Sequence, residues 1–281
     1  MIPSGPTSAQ KERRLLGSLA RIDRALVAFS GGVDSAYLLA VAHEALGDRV
    51  SAMTARSPSL PSDELAAAVA FCRELGVVHR IVDTHEMDRG GYRANGADRC
   101  YHCKSELFDA SSLLAAREDA SVLDGFNVDD LSDHRPGHQA AQEHEVRHPL
   151  AEVGLRKEEI RALSRARGLP TWNKAQLACL ASRVPHGVEV TNARLARVEQ
   201  VEQGLRALGF HDLRARLVRG DDEMLRLEIG VDELHRALEL RAELVSVGKG
   251  SGFRRITLDL EGFRSGSMNE DLVQLRGAAR G

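Results

Sequence analysis

Short apolar runs alternate along this chain with longer stretches in which apolar residues recur every three or four positions. Ala25 to Phe29 is an apolar run that stops at Ser30-Gly31-Gly32, after which Ala36, Tyr37, Leu38, Leu39, Ala40, Val41 and Ala42 follow with helical character. That reads as strand, tight loop, helix. Val50–Thr54 and Val77–Val82 repeat the strand signal, joined by a turn at Ser57-Pro-Ser-Leu-Pro61 and a helix from Asp63 to Leu75 that Gly76 stops. Ser121–Asp124 is a further short strand running into Gly125, and a helix from about Lys157 to Arg167 ends at Gly168 and Pro170. Residues 1–10 form a loose start before a first helix from Lys11 to Ile22. Strands alternating with helices of this length predict an α/β fold, a parallel sheet with helices on both faces. Ligands in such a fold sit beyond the carboxyl ends of the strands.

After Pro185-His-Gly187 the texture changes. A long charged helix from Thr191 to Leu208 leads to strands at Leu213–Val218 and Met224–Ile229 around Gly220-Asp-Asp222, then a helix from Val231 to Val245 and a strand from Arg254 to Leu260. This predicts a small C-terminal α+β domain over 187–281, following the α/β domain over 1–186.

Composition narrows the function classes. A formal net charge of -3 argues against a protein whose main business is coating nucleic acid. No apolar run is long enough to span a membrane, and the start of the chain lacks a signal-peptide core, so a cytoplasmic protein is expected. Four cysteines in 281 residues are then reduced thiols, ligands or catalysts rather than a disulfide framework.

The first chemistry lies in Ser30-Gly31-Gly32-Val33-Asp34-Ser35. Gly31 and Gly32 allow positive φ and a close approach to a ligand. Amides at the start of the following helix, aided by its dipole, suit phosphate oxygens, and Ser30 and Ser35 add hydroxyl donors. Asp34 would repel phosphate, so its expected role is to hold Mg²⁺ between itself and the phosphates. A Walker A loop would carry a lysine, and none is present. The pattern resembles the pyrophosphate loop of the ATP pyrophosphatases, which cut ATP between its α and β phosphates to adenylate an acceptor. Ser57, at another strand end, fits either contact with adenine or a plain strand-to-helix connection. Gly125, Asn127, Asp129 and Asp130 repeat the design after Ser121–Asp124. Asp129 is the candidate for a second magnesium contact there, although Asn and Asp also serve turns and caps. This segment is similar to the Gly-x-Asn-x-Asp-Asp of pyrophosphate-loop enzymes.

Cys100 and Cys103, in Asp98-Arg-Cys-Tyr-His-Cys-Lys104, have a spacing that can hold a metal or cluster, form a redox pair or fill a core. Cys179 opens Cys-Leu-Ala-Ser-Arg183, and Cys72, beside Phe71, reads as a small core residue. Trp172 could pack or stack on a planar ligand, and packing is the reading preferred. Arg214 and Arg216 stand two apart on a strand, so both side chains leave one face, suited to a phosphate or carboxylate or to a solvated salt-bridged surface.

The pyrophosphate loop, Arg135-Pro-Gly137, Cys179–Arg183 and Asp259-Leu-Glu-Gly-Phe-Arg-Ser-Gly-Ser-Met-Asn269 together resemble the LarE family over essentially the whole chain. The loop marks only the superfamily; the last two segments are much more specific. The resemblance implies an ATP-dependent sulfur transferase of nickel-pincer nucleotide biosynthesis. Such an enzyme adenylates the carboxylates of pyridinium-3,5-biscarboxylic acid mononucleotide and replaces them with thiocarboxylates. It further implies ATP and Mg²⁺ as cofactors, a homo-oligomer, Cys179 as the sulfur-bearing residue and Arg183 as a neutraliser of nearby phosphate or thiolate charge. Some members use one cysteine sacrificially, leaving dehydroalanine, whereas others hold a [4Fe-4S] cluster on three. With Cys100, Cys103 and Cys179 this chain resembles the three-cysteine kind, whose fourth iron is open to carry sulfide. The other reading makes Cys100 and Cys103 structural and Cys179 the lone donor. Rival functions are a tRNA thiolase, which needs a basic RNA-binding face, an ammonia-using adenylating ligase, which leaves the cysteines unexplained, and a nucleotide-sensing module.

Overall fold

The computed structural model describes residues 5–131, 136–175 and 178–264. The chain divides into two compact units, one of residues up to 86 together with 98–177, the other of 87–97 together with residues from 178 onward. The division expected at 186/187 differs from this in where the second unit starts and in the early segment it takes in.

The first unit runs α1 (Ser8–Leu19), β1 (Ala25–Ala28), α2 (Val33–Leu46), β2 (Val50–Arg56), α3 (Ser62–Leu75), β3 (Val78–Asp83), α4 (Arg99–Glu118), β4 (Ser121–Asp124), α5 (Pro136–Glu143) and α6 (Lys157–Ala166). Its four strands form an all-parallel sheet in the order β3-β2-β1-β4, the α/β arrangement the pattern predicts. Side chains alternate across it with the two-residue period of a strand. Ala25, Val27, Val50 and Ala52 join a core with Leu15 and Leu19 of α1, Tyr37 and Leu38 of α2, Phe71 and Cys72 of α3 and Ile160 of α6. Leu26, Met53 and Val122 face the other way, onto Phe108 and Ala115 of α4 and Ala140 of α5. Cys72 is fully buried, as expected of a core thiol, and burial pushes it up to about 12. α1 starts earlier than its apolar pattern suggests because Thr7 caps it: the Thr7 hydroxyl accepts from the Gln10 amide and the Gln10 side chain accepts from the Thr7 amide.

The second unit contains α7 (Asn192–Ala207), β5 (Leu213–Val218), β6 (Asp221–Ile229), α8 (Leu234–Glu239), α9 (Arg241–Gly250) and β7 (Arg255–Leu258). β5 and β6 pair antiparallel, β6 and β7 parallel. The single helix expected over 231–245 is two helices, parted at Leu240 (φ -91°, ψ 23°). Residues 87–97 belong here because Asn95, in the left-handed region at φ 55°, donates from Nδ2 to the carbonyls of Val184, Pro185 and Val188. The Val190 amide donates to Arg93 O at 2.9 Å. Two glycines set the packing of α9: a Cβ on Gly248 would lie 2.4 Å from Ile256 Cγ1 of β7, and one on Gly204 of α7 would lie 2.6 Å from Val247 Cγ1.

Gly248→Ala should therefore destabilise the protein by about 1–3 kcal/mol through overpacking. Gly17→Ala, on an exposed helical position with nothing within 4 Å, should stabilise it by up to about 1 kcal/mol. Urea unfolding of the two variants beside the parent chain measures both signs.

Candidate functional site

β1 ends at Ala28, and the chain turns through Ser30 and Gly31 into α2, whose N-cap is Gly32. Of the two glycines only Gly31 uses the left-handed region, at φ 74°, where a side chain would be strained and its Cβ would sit 3.4 Å from Ala68 of α3. Gly32 is extended, at φ -80°, which any residue can adopt. The serines brace the turn: the two hydroxyls lie 3.1 Å apart, the Ser30 amide donates to Ser35 Oγ at 3.3 Å, and the Gly32 amide donates to Ser30 Oγ at 3.3 Å. The first-turn amides of α2 have no carbonyl partner within the helix, which makes this turn an anion cradle.

β4 is in register with β1, Asp124 opposite Ala28, so the next residue reaches the base of the turn. A Cβ on Gly125 would lie 2.8 Å from Ser35 N and 3.1 Å from Asp34 C; only glycine fits there. The sequence after it then folds beside Asp34. Asn127 is fully buried, its Oδ1 accepting from the Asp129 amide at 2.9 Å while its Nδ2 has no partner among the described residues. Asp129 accepts from Arg156 Nη1 and from the Lys157 amide, each at 2.8 Å, and so anchors the start of α6. Asp130 faces Lys157 Nζ at 3.0 Å. Asp34 itself accepts no hydrogen bond from any described residue. Its carboxyl is pushed up to about 6, by burial first and then by the charge of Asp130, with Lys157 and Arg161 opposing and Asp129 adding to the rise. At the end of β4, Asp124 accepts from His148 Nδ1 at 2.6 Å. Burial would push this carboxyl up, but the His148 hydrogen bond, the charges of Lys104 and His148 and the Phe126 amide hold it below its usual range. At the end of β2, the Ser57 hydroxyl is 2.9 Å from that of Ser59, which donates to buried Glu86 at 3.2 Å.

In the second unit Cys179 precedes a tight turn, Leu180–Arg183. Arg183 is buried and fully engaged: Nε and Nη2 reach the two oxygens of Glu202 at 2.8 and 3.0 Å, and Nη1 donates to the carbonyls of Ala178 and Cys179 and to Ser182 Oγ. Expected as a neutraliser of ligand charge, this guanidinium instead fixes the backbone of the cysteine turn. Burial works against ionised Glu202, yet the Arg183 hydrogen bond and charge, with the Ala215 amide and the charge of Arg214, hold its carboxyl low. Arg216 is also buried, bound to Glu228 at 2.6 Å and to Ser182 O at 2.9 Å. Arg214 differs. Its guanidinium donates to Leu213 O and stacks on Phe263 with no carboxylate hydrogen-bonded to it among the described residues, and burial, then the charges of Arg183, Arg216 and Arg206, with Glu202 opposing, bring it down to about 10.

Cys100 and Cys103 occupy the first turn of α4, the former exposed and the latter half-buried, and all four cysteines are free thiols. They stand three apart on the helix, so both project from one side. They belong to the first unit and Cys179 to the second. Among the described residues no three His, Cys, Asp or Glu side chains group as a metal site. No described helix is long and apolar enough to cross a membrane.

A family model described as queuosine biosynthesis protein QueC matches residues 24–105, the stretch that holds the loop and its strands. An uncharacterized Synechocystis protein is 43% identical over 93% of this chain and 97% of its own length. A Lactiplantibacillus plantarum protein named pyridinium-3,5-bisthiocarboxylic acid mononucleotide synthase is 34% identical over 95% of this chain and 97% of its own. The chain belongs to the LarE family. An uncharacterized protein of Methanocaldococcus jannaschii is more distant, 24% identical over 85% of this chain and 90% of its own.

For a LarE-family chain, some of the specific motifs fall outside the described residues: Arg135, and Ser265–Asn269 of the C-terminal run. Several residues that shape the site went unread in the sequence. Lys174 Nζ donates to Gly31 O at 3.1 Å and to Glu64 at 2.5 Å. Arg161 holds the backbone beneath it, donating to Trp172 O at 3.0 Å and Lys174 O at 2.9 Å. Trp172, expected to pack, is instead 37% exposed, with the Arg165 guanidinium over its ring at 4.9 Å. Glu202 did leave a signal: it falls four residues after Val198 and three before Leu205, on the buried stripe of α7, where a carboxylate needs a partner.

Because Asp34 has a raised pKa in the folded state, its charge is a cost that is absent below its ordinary value near 3.8 and complete above about 6. Asp34→Asn should then stabilise the ligand-free protein by about 1–3 kcal/mol at pH 8, with the gain shrinking towards zero at pH 4. Urea unfolding across that range checks the sign.

Proposed function

We propose that this chain is an ATP-dependent sulfurtransferase that adenylates the carboxylates of pyridinium-3,5-biscarboxylic acid mononucleotide and replaces them with thiocarboxylates. The observation that carries the reading is the 34% identity, along 97% of its length, to the Lactiplantibacillus plantarum synthase. The turn at Ser30–Ser35, backed by Gly125, supports the ATP-binding half of it.

A carboxylate is a poor acyl donor. Its oxygen attacks the α-phosphorus of ATP, the bond to the bridging oxygen of the β-phosphate breaks, and pyrophosphate leaves. A sulfur nucleophile then adds to the acyl carbon, and AMP departs with the former carboxylate oxygen. Ser30, Gly31, Gly32 and Ser35 hold phosphate oxygens in this scheme, and Ser57, Gly125 and Asn127 line the nucleotide side. A Mg²⁺ ion, when bound, would offset charge on the phosphates. Asp34 fits it, as a half-buried carboxylate that accepts no hydrogen bond from any described residue, because magnesium is commonly held by one or two carboxylates with the rest of its shell from phosphates and water. Asp129, the other expected ligand, already accepts from both Arg156 and Lys157. Arg214, without a carboxylate partner among the described residues, takes the anionic group of the substrate. Arg216 and Arg183 hold Ser182 and Cys179 in place.

For sulfur, Cys100 and Cys103 fit as two neighbouring cluster ligands, with Cys179 as the third. A [4Fe-4S] cluster so held would supply an open iron at which sulfide is carried. If Cys179 itself is the donor, its thiolate forms a thioester with the acyl carbon. Loss of its Cα proton then breaks the Cβ–S bond, leaving a thiocarboxylate and dehydroalanine.

Two measurements test this. Anaerobically purified protein should contain about four irons per chain, which Cys100→Ala should lose, and Cys179→Ala should release pyrophosphate without forming thiocarboxylate. Iron-free protein whose Cys179 is lighter by one H₂S after turnover would replace the cluster with the sacrificial route, and absence of thiocarboxylate from the reconstituted parent chain would overturn the function. In equilibrium titrations, Arg214→Ala should weaken binding of the mononucleotide more than that of ATP. Equal losses would remove Arg214 from the substrate site.

A further inference from the structure

We infer that Lys174 supplies the cation that this loop lacks in its own sequence, meeting the β- and γ-phosphate oxygens of ATP, and that Glu64 holds it at the loop in their absence. The inference rests on reading Ser30–Ser35 as a pyrophosphate cradle and names a residue that reading does not contain.

The loop has no lysine or arginine, and its charged side chain is Asp34, a half-buried carboxylate that accepts no hydrogen bond from any described residue. A triphosphate brought beside it adds negative charge to negative charge, so a nearby cation is needed besides any metal. Lys157 and Arg161 act on Asp34 from its flank, but each is committed, Lys157 to Asp130 and Arg161 to the backbone of Trp172 and Lys174. Lys174 is the cation that hydrogen-bonds to the loop itself, through Gly31 O.

An ammonium has three donors. Gly31 O and Glu64 take two, and the third has no acceptor among the described residues. The group is part-buried, with the Lys174 and Glu64 side chains each 23% exposed, so an added phosphate contact would be screened less than on an open surface. The chain beneath it is set in advance: Arg161 holds the 172 and 174 carbonyls, and the Lys174 amide donates to Thr171 O at 2.9 Å. Glu64 lies in the first turn of α3, and Gly31 packs on Ala68 one turn further along. Lysine, glutamate and loop thus form one contact group.

The chemistry asks for a cation at this place. As the bond between the α-phosphorus and the leaving oxygen breaks, charge collects on pyrophosphate, and a fixed ammonium there favours the transition state. Glu64 is the internal competitor. A polyphosphate displaces it from the ammonium, while AMP, lacking the β- and γ-phosphates, leaves the Lys174–Glu64 pair in place.

Calorimetric titration of ATP, pyrophosphate and AMP into the parent chain, Lys174→Ala and Glu64→Gln decides the matter. Lys174→Ala should weaken ATP and pyrophosphate roughly 10- to 100-fold, the range of a charge-assisted hydrogen bond, and change AMP by less than about threefold. Glu64→Gln should keep or raise the affinity for ATP. If the pair is only a brace, Glu64→Gln will lose ATP affinity alongside Lys174→Ala, and that result, or equal loss of ATP and AMP, or no loss, overturns the assignment. Lys174→Met, with a stem of similar length and no charge, gives the same comparison if the alanine variant does not fold. A parent chain that binds neither ATP nor pyrophosphate would instead overturn the reading of the loop, whereas a parent that binds both and is matched by Lys174→Ala defeats the lysine alone.

Discussion

The first unit depends on a contact between two pieces of backbone. Where β4 ends, Gly125 lies so close to the start of α2 that a single side-chain carbon would fall 2.8 Å from Ser35 N. This closeness follows from the parallel register of β1 and β4 and carries the residues after Gly125 to the side of Asp34. The cost of the arrangement is electrostatic. Asp34, Asp129 and Asp130 gather in a partly buried place, and although the start of α6 answers with Arg156, Lys157 and Arg161, Asp34 accepts no hydrogen bond from any described residue. For the polypeptide alone, carboxylates crowded in this way are a strained distribution of charge.

The second unit solves a different problem. Cys179 is followed by a single four-residue 3₁₀ turn, Leu180–Arg183, too short to fix its own position. Arg183 ties that turn to the residues before it by donating to the carbonyls of Ala178 and Cys179 and to Ser182 Oγ, while Glu202 holds the guanidinium from α7. Arg216 repeats the device through Ser182 O and Glu228. Buried ion pairs of this kind add little net stability over apolar packing, but losing one partner leaves the other charged and enclosed. Their value here is geometric, since the paired charges decide where carbonyls lie.

Much of this was open to reading in the sequence, for physical reasons. Strands buried on both faces are short apolar runs, the Gly31 turn needs a residue that tolerates positive φ, and α/β alternation leaves few topologies, so β1, the loop and α2 could be placed at once. The CxxC pair was visible, but not that it opens the long helix α4. Charge partners were hidden because they are distant in the chain: nothing near Lys174 points to Gly31 or Glu64, and nothing near Arg183 points to Glu202 except a carboxylate on an apolar stripe. Arg183 and Arg216 read as ligand-facing cations because their chemistry allows it, and only the fold shows them turned to carbonyls and glutamates. The helix expected over 231–245 broke at Leu240, where local pattern carries no Gly or Pro to mark the change.

The segment 87–97 belongs to the second unit although residues 98–177 of the first follow it. During synthesis, Asn95 therefore leaves the ribosome long before the carbonyls of Val184, Pro185 and Val188 that its side chain will bind. The N-terminal unit is interrupted in turn, so neither unit is a single stretch of chain. Order of synthesis cannot be order of assembly here, because the later unit takes in residues 87–97, which are made before residues 98–177 of the earlier one. A fragment beginning at Ala178 would lack the asparagine that joins those three carbonyls, and the two halves of this molecule are separable on a map of contacts but not with a single cut in the gene.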